Sequence, residues 1–249
     1  MAKTRLRLRI TSGPELSPAE VEECVEVRRS VMRFKPDTDL VEDSAAARNA
    51  VQRSEHVFLL VDDAGGFHGF TLFQVHEPAG RAGPIFYEVV HSYSRPSARG
   101  TPLLTWMLVR VGMTVLGRGL GRERWMFGLG VYPQSYRLAC RYGDQCGNTF
   151  DPRVPEHVRR VIFAAAADRY GPRWDPERHL VRLRTLPAEM PPGWLERERG
   201  EAWWQEYQRI NPDWEQGWGA VFVSPVRMND VMRAMGGVVR RRIQRREAR

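Results

Sequence analysis

Cysteine is scarce. Cys24, Cys140 and Cys146 are the three in 249 residues, and no metal-ligand spacing connects them. A sparse, odd count argues against a disulfide framework and fits a reduced compartment with buried spectator thiols. Long apolar runs are missing too: no stretch reaches the length a helix needs to cross a bilayer. The opening MAKTRLRLRITSG has no apolar segment of the kind a secretory leader carries, so the expected location is cytoplasmic. Neither zinc-knuckle spacing nor an RNA-recognition signature accompanies the basic residues, which counts against dedicated nucleic-acid binding. No metal site is expected, and no internal repeat or low-complexity tract is visible.

What is present is an ordinary apolar content, 42%, in a chain long enough for one large domain or a domain with a sizeable extension. The net charge is +8, and much of it lies at the ends. Arg5, Arg7 and Arg9 alternate along the first segment; Arg240, Arg241, Arg242, Arg245, Arg246 and Arg249 crowd the last. Such charge attracts a phosphorylated cofactor, an acidic carrier protein, anionic lipid or nucleic acid, or is simply a solvated basic tail.

Periodicity supplies the elements. Arg5–Ile10 alternates with the period of a half-buried strand. Ser17-Pro18-Ala19-Glu20 is a capping box with proline at the first helical position, and helical spacing runs on to about Phe34. Lys35–Asp43 reads as a polar loop and Ser44–Gln52 as a second helix. His56–Asp62 and Phe67–His76 are strands joined by the hairpin turn Asp63-Ala64-Gly65-Gly66. Phe86–Tyr93 is a third strand of this run. A helix over 102–116 follows, then a strand at Trp125–Val131 and a helix to about Arg141, with Gly143 as its stop. The order β-α-α-β-β-β-α-β-α predicts an α/β chain (α+β, mixed sheet).

The stretch Glu88–Leu104, EVVHSYSRPSARGTPLL, is the most informative. A strand runs into a small-residue turn, then into a helix start with Thr101 as N-cap and Pro102 at the first position. Such a start offers free backbone N–H groups to an anion, above all a phosphate, and Arg95 and Arg99 add two cations. Taken alone, the same residues also read as an ordinary crossover with surface arginines.

The element order and this turn resemble the GNAT superfamily of acyl-CoA-dependent N-acyltransferases, over roughly residues 5–148. The family's pyrophosphate turn, Arg/Gln-x-x-Gly-x-Gly/Ala, is matched by Arg95-Pro96-Ser97-Ala98-Arg99-Gly100, and Val90 stands five residues before Arg95 where the family places valine. The strand–helix unit Trp125–Gly143 resembles the family's next motif. Two positions depart: Ala98 replaces the usual glycine, and Ala139 stands where a general-acid tyrosine is common.

The resemblance implies a GNAT-like core over 1–148 and a C-terminal extension over 149–249, packed on or completing the core. It implies transfer of an acyl group from acyl-CoA, or an acyl carrier protein thioester, to an amine. CoA would lie against Val90, Arg95, Ser97, Ala98, Arg99, Gly100 and Thr101, with pantetheine along Phe86–Tyr93. Glu88 is the first candidate base, on the strand face that simple alternation shares with Phe86 and Val90. His91, assigned to the opposite face, is the second. Tyr142, with Tyr132 and Tyr136, is a candidate acid in place of Ala139. A small-molecule or peptide amine is the expected acceptor; an acidic acyl carrier protein and a homo-oligomer stand among the partners open to such a chain. A ligand-binding module without catalysis, or an anionic-surface binder acting through the Arg-rich tail, are the alternatives.

Beyond the core, Pro155–Tyr170 predicts a helix, His179–Leu186 a strand and Trp194–Tyr207 a Trp-rich helix. A loop with Trp214 and Trp218 precedes a strand at Gly219–Val223, which could complete the sheet. A basic amphipathic helix over 228–246 ends the pattern. The tryptophans either line an acyl or aromatic site or form the core of the extension.

Overall fold

In the computed structural model, residues 6–78, 80, 83–98, 109–110, 112–114, 117, 121–130, 133, 135–137, 147–186, 193–227, 229 and 232 are described. In chain order the elements are β1 (Leu6–Thr11), α1 (Pro18–Val31), β2 (Arg33–Phe34), α2 (Leu40–Arg53), β3 (His56–Asp62), β4 (Phe67–His76) and β5 (Ile85–Ser94). Then follow β6 (Arg124–Gly130), β7 (Gly147–Asn148), α3 (Glu156–Tyr170), β8 (Trp174–Asp175), β9 (Leu180–Arg182), β10 (Thr185–Leu186), α4 (Trp194–Glu198), α5 (Ala202–Ile210) and β11 (Trp218–Pro225). The chain divides into two compact units, one from Met1–Val31, Leu40–Arg124 and Val226–Arg249, the other from Met32–Asp39 and Trp125–Pro225. Each is α/β.

In the first unit, β1, β3, β4 and β5 form an antiparallel sheet in that order. The capping box closes as its sequence predicts: the Ser17 N–H donates to the Glu20 carboxylate (2.9 Å), and the Glu20 N–H donates to Ser17 Oγ (3.3 Å). Val21, Cys24 and Val27 of α1 and Val51 of α2 then pack with Val57, Leu59, Phe70, Leu72 and Val90 of the sheet. The α1–α2 contact also holds a buried ion pair, Arg28 with Asp43, whose second bond, Arg28 Nη2 to Asp43 Oδ1, is 2.9 Å. The loop that precedes α1 packs tightly on the C-terminal end of α2. A Cβ on Gly13 would lie 2.1 Å from the Val51 carbonyl oxygen, so only glycine fits there. At the β3–β4 hairpin, Asp62 accepts from the N–H groups of Ala64 (2.9 Å) and Gly66 (2.8 Å), and Gly65 takes φ +89. An aspartate and a glycine in one short turn do the jobs that turn chemistry assigns them.

Several boundaries differ from expectation. Helix α1 stops at Val31 rather than near Phe34, because Arg33 and Phe34 pair as β2 with β10. Helix α2 starts at Leu40 rather than Ser44; Glu42 and Asp43 fall in its first turn, where acidic side chains complement the dipole.

In the second unit, β11 pairs antiparallel with β6 on one side and with β9 and β7 on the other, and β8 extends from β9. The segment expected as one strand over 179–186 is split between β9 and β10, which pair with different partners. The expected Trp-rich helix breaks at Arg199-Gly200 into α4 and α5. Trp204 and Trp214 are buried and meet edge to face at 5.8 Å, beside buried Tyr207 and Ile210. Trp203 and Trp218 instead carry guanidinium groups, Arg137 at 5.6 Å and Arg178 at 4.7 Å. The tryptophans thus divide between core and cation-covered surface. Among the described residues, no helix is long and apolar enough to cross a membrane.

Candidate functional site

The site is built on β5. Its pairing with β4 runs Gly69↔Ser94, Phe70↔Tyr93, Thr71↔Ser92 and Leu72↔His91, then resumes as Phe73↔Val89, Gln74↔Glu88 and Val75↔Tyr87. Val90 therefore has no opposite residue on β4. It is a β-bulge, a device that bends a strand and re-aims the side chains on either side of it. Residues directly opposite in an antiparallel pair share a sheet face. Glu88 lies opposite Gln74 and His91 opposite Leu72, and Leu72 and Gln74 share a face. The bulge therefore brings His91 to the face of Glu88, where uninterrupted alternation had put it on the other.

That face carries a row of polar groups over an apolar floor. Glu88 is 3% exposed, and its Oε2 lies 2.9 Å from His76 Nε2. The His76 side chain is 30% exposed against 4% for that of Glu88, so this carboxylate–imidazole pair reaches water at the imidazole end. Further along β5, His91 Nδ1 and the Tyr93 hydroxyl are 3.4 Å apart. The Arg28 guanidinium carbon sits 5.9 Å from the Tyr93 ring centre. A buried carboxylate with an imidazole partner is suited to holding and passing on a proton.

The strand ends where the Arg95 N–H donates to the His68 carbonyl at 2.8 Å. Pro96–Ala98 then forms one 3-10 turn, in which the Ala98 N–H donates to the Arg95 carbonyl at 2.9 Å. Of the amides expected to face an anion, that of Ala98 is thus engaged within the turn. Arg95 pairs through Nη2 with Glu23 of α1 at 3.4 Å, while its buried Nε has no hydrogen-bond partner among the described residues. Ser97 Oγ lies 2.9 Å from His68 Nδ1, and His68 Nε2 lies 2.9 Å from Asp62 Oδ2. That contact, with the Gly66 and Ala64 amides, holds the Asp62 carboxyl below its usual range.

The structure thus brings Glu88, Val90, His91, Arg95, Ser97 and Ala98 onto one strand and its exit turn. Arg99, Gly100, Thr101, Tyr142, Tyr132 and Ala139, the helix start at 101–102 and the basic segment 240–249 lie outside the described residues. Tyr136 is buried against Tyr207, ring centres 5.2 Å apart. Burial pushes the Cys24 thiol up to about 12, which suits a spectator. Sequence reasoning missed His68 and His76. The short β3–β4 hairpin and the opposed β4 and β5 were legible, and counting back from the turns would have placed His76 near Glu88.

No protein-family model matches the sequence, and neither does any curated protein. Solved structures similar to the chain include a ribosomal-protein-alanine N-acetyltransferase from Brucella melitensis biovar Abortus 2308, at 17% identity over 54% of this chain and 88% of that one, with TM-score 0.40. Another is the aminoglycoside acetyltransferase meta-AAC0020, from an uncultured soil metagenomic sample, in complex with sisomicin, at 12% identity over 53% and 82%, TM-score 0.40. A third is aminoglycoside N-acetyltransferase AAC(6')-Iy in complex with CoA, at 15% identity over 50% and 76%, TM-score 0.34.

Proposed function

We propose that this chain is an N-acyltransferase of the GNAT type, moving an acyl group from a CoA or carrier-protein thioester to an amine. The observation that carries the reading is the bulge at Val90. It falls between a buried carboxylate and a turn with an arginine and the expected pyrophosphate-motif spacing. An interrupted ladder at that point turns backbone toward a ligand, so the Val90 or His91 N–H would meet the thioester carbonyl. Glu88 would take the amine proton, with His91 as the second candidate on the same face. Tyr142 would return a proton to the leaving thiolate. The turn from Arg95 to Thr101 would hold the diphosphate through Arg95, the Ser97 amide and the residues that follow, binding energy that orients the two reactants. The acceptor is an amine of a small molecule or peptide.

Calorimetric titration with CoA and acetyl-CoA, followed by thiol release against a panel of primary amines, tests this. Glu88→Gln should lower turnover by about 10²–10⁴-fold, the range for losing a general base, with CoA affinity unchanged. A protein that binds neither CoA nor acyl-CoA, and takes no acyl group from a charged carrier protein, is not an acyltransferase of this type. One that binds CoA but releases no thiol with any amine is a binding module.

A further inference from the structure

The chain Asp62–His68–Ser97 joins three elements: the end of β3, the start of β4 and the turn after β5. Its two links are both 2.9 Å, and the hydrogen positions along it follow from chemistry. Asp62 is an ionised carboxylate and can only accept, so His68 Nε2 carries a proton. When His68 is neutral, Nδ1 is an acceptor, and the Ser97 hydroxyl must donate to it. When His68 is an imidazolium, Nδ1–H donates to Ser97 Oγ, and the hydroxyl proton is released to point elsewhere. Ser97 is exposed on the turn, and Asp62 is itself fixed by the Ala64 and Gly66 amides. The only part of the chain free to change state is thus the imidazole–hydroxyl end.

We propose that Ser97 and His68 form a proton-coupled anion contact: a phosphate-type anion accepting from the Ser97 hydroxyl draws a proton onto His68. This rests on the turn being the diphosphate site of the proposed acyltransferase, and assigns to it two side chains that backbone recognition of a diphosphate does not need. No bond is broken except to hydrogen. One proton passes from solvent to His68, Nδ1–H turns to Ser97 Oγ, and the Ser97 O–H turns to a phosphate oxygen. The resulting imidazolium lies between Asp62 and the anion, so the bound state adds a cation without leaving an unpaired charge. Among the described charged groups, Asp62 pairs with the His68 ring, and Arg95, whose N–H donates to the His68 carbonyl, pairs in turn with Glu23 of α1. Arginine stays charged throughout the working range. Anion binding should therefore take up a proton and weaken as pH rises, by at most about tenfold per pH unit, the slope set by one linked proton.

The test is calorimetry of CoA and of inorganic pyrophosphate binding, each in buffers of different ionisation enthalpy. Phosphate groups themselves titrate near pH 6, so the readout is the difference between wild type and the variants Ser97→Ala and His68→Gln. The expected result is proton uptake approaching one per site in the wild type, lost in both variants. A second measurement follows the His68 imidazole resonance by NMR: pyrophosphate should move its titration to higher pH in the wild type and leave it unmoved in Ser97→Ala. Ser97 is exposed, so that variant keeps the test usable even where His68→Gln disturbs the hairpin. Binding of CoA with the same proton uptake in wild type and Ser97→Ala overturns this inference and leaves the acyltransferase reading standing. Failure of both CoA and pyrophosphate to bind overturns both.

Discussion

Replacing Asp43 with alanine should destabilise the first unit by about 3–5 kcal/mol, the range for stripping one partner from a buried ion pair. Arg28 and Asp43 are 7% and 5% exposed, and they meet through two bonds between α1 and α2. A guanidinium cannot shed its proton in a protein. Asp43→Ala therefore leaves a cation in the helix–helix contact, under the Tyr93 ring, with both of its bonds to Asp43 lost. Arg28→Met leaves instead a carboxylate, which a proton can neutralise, so it should cost less, and less still in acid. The double change Arg28→Met with Asp43→Leu removes both charges at similar volume and should recover most of the loss. Urea unfolding followed by circular dichroism gives the free energies. The corresponding drop in Tm for Asp43→Ala is roughly 6–20 °C for a domain of this size. A cost below about 1 kcal/mol, typical of a surface pair, or a double variant no more stable than Asp43→Ala, would refute the reasoning.

Two further outcomes follow from titration. Because burial pushes the Cys24 thiol up to about 12, a disulfide reagent at neutral pH should leave Cys24 unmodified in the native protein and label it fully in denaturant, as read by peptide mapping; rapid native labelling would contradict the packing around α1. His179 is held below its usual range by burial and then by Arg159, so the unfolded chain takes up a proton that the folded chain resists. The stability from neutral His179 is present above about pH 6.5 and is lost as pH falls through that value toward the folded one. His179→Asn, which tolerates the φ of +54 at this position, should flatten that acid limb; an unchanged slope would place the acid sensitivity elsewhere.

Much of the first unit was legible because its signals are local. A capping box, a proline at the first helical position and an Asp–Gly hairpin each act within four residues, and each produced the element it announces. What could not be read depends on partners distant in the chain. The two-residue strand β2 exists because Arg33 and Phe34 meet Leu186 and Thr185, and nothing in Arg33-Phe34 itself ends a helix. The bulge was equally silent. The segment Glu88–Tyr93 contains no glycine, and its alternation reads as an unbroken strand until β4 is laid beside it. The polar chain from Asp62 to Ser97 is assembled by topology alone, from residues whose individual roles look like turn capping and surface.

The bulge also explains why the site residues hold their places. A slip of one residue in strand register sends every side chain to the opposite face. On one side of Val90, β5 is pinned by the Phe70–Tyr93 ring contact at 5.6 Å and by the Thr71–Ser92 hydroxyl pair at 2.9 Å on the opposite face. On the other side it is pinned by His76 to Glu88. Moving the extra residue toward the turn would break the first set, and moving it toward the hairpin would break the second. An unbulged strand could satisfy only one set, leaving either Glu88 or His91 on the wrong face. The pairs flanking Val90 therefore fix the position of the interruption. The distance from buried carboxylate to arginine turn is set by side-chain pairing on both faces of the sheet rather than by the bulged residue itself.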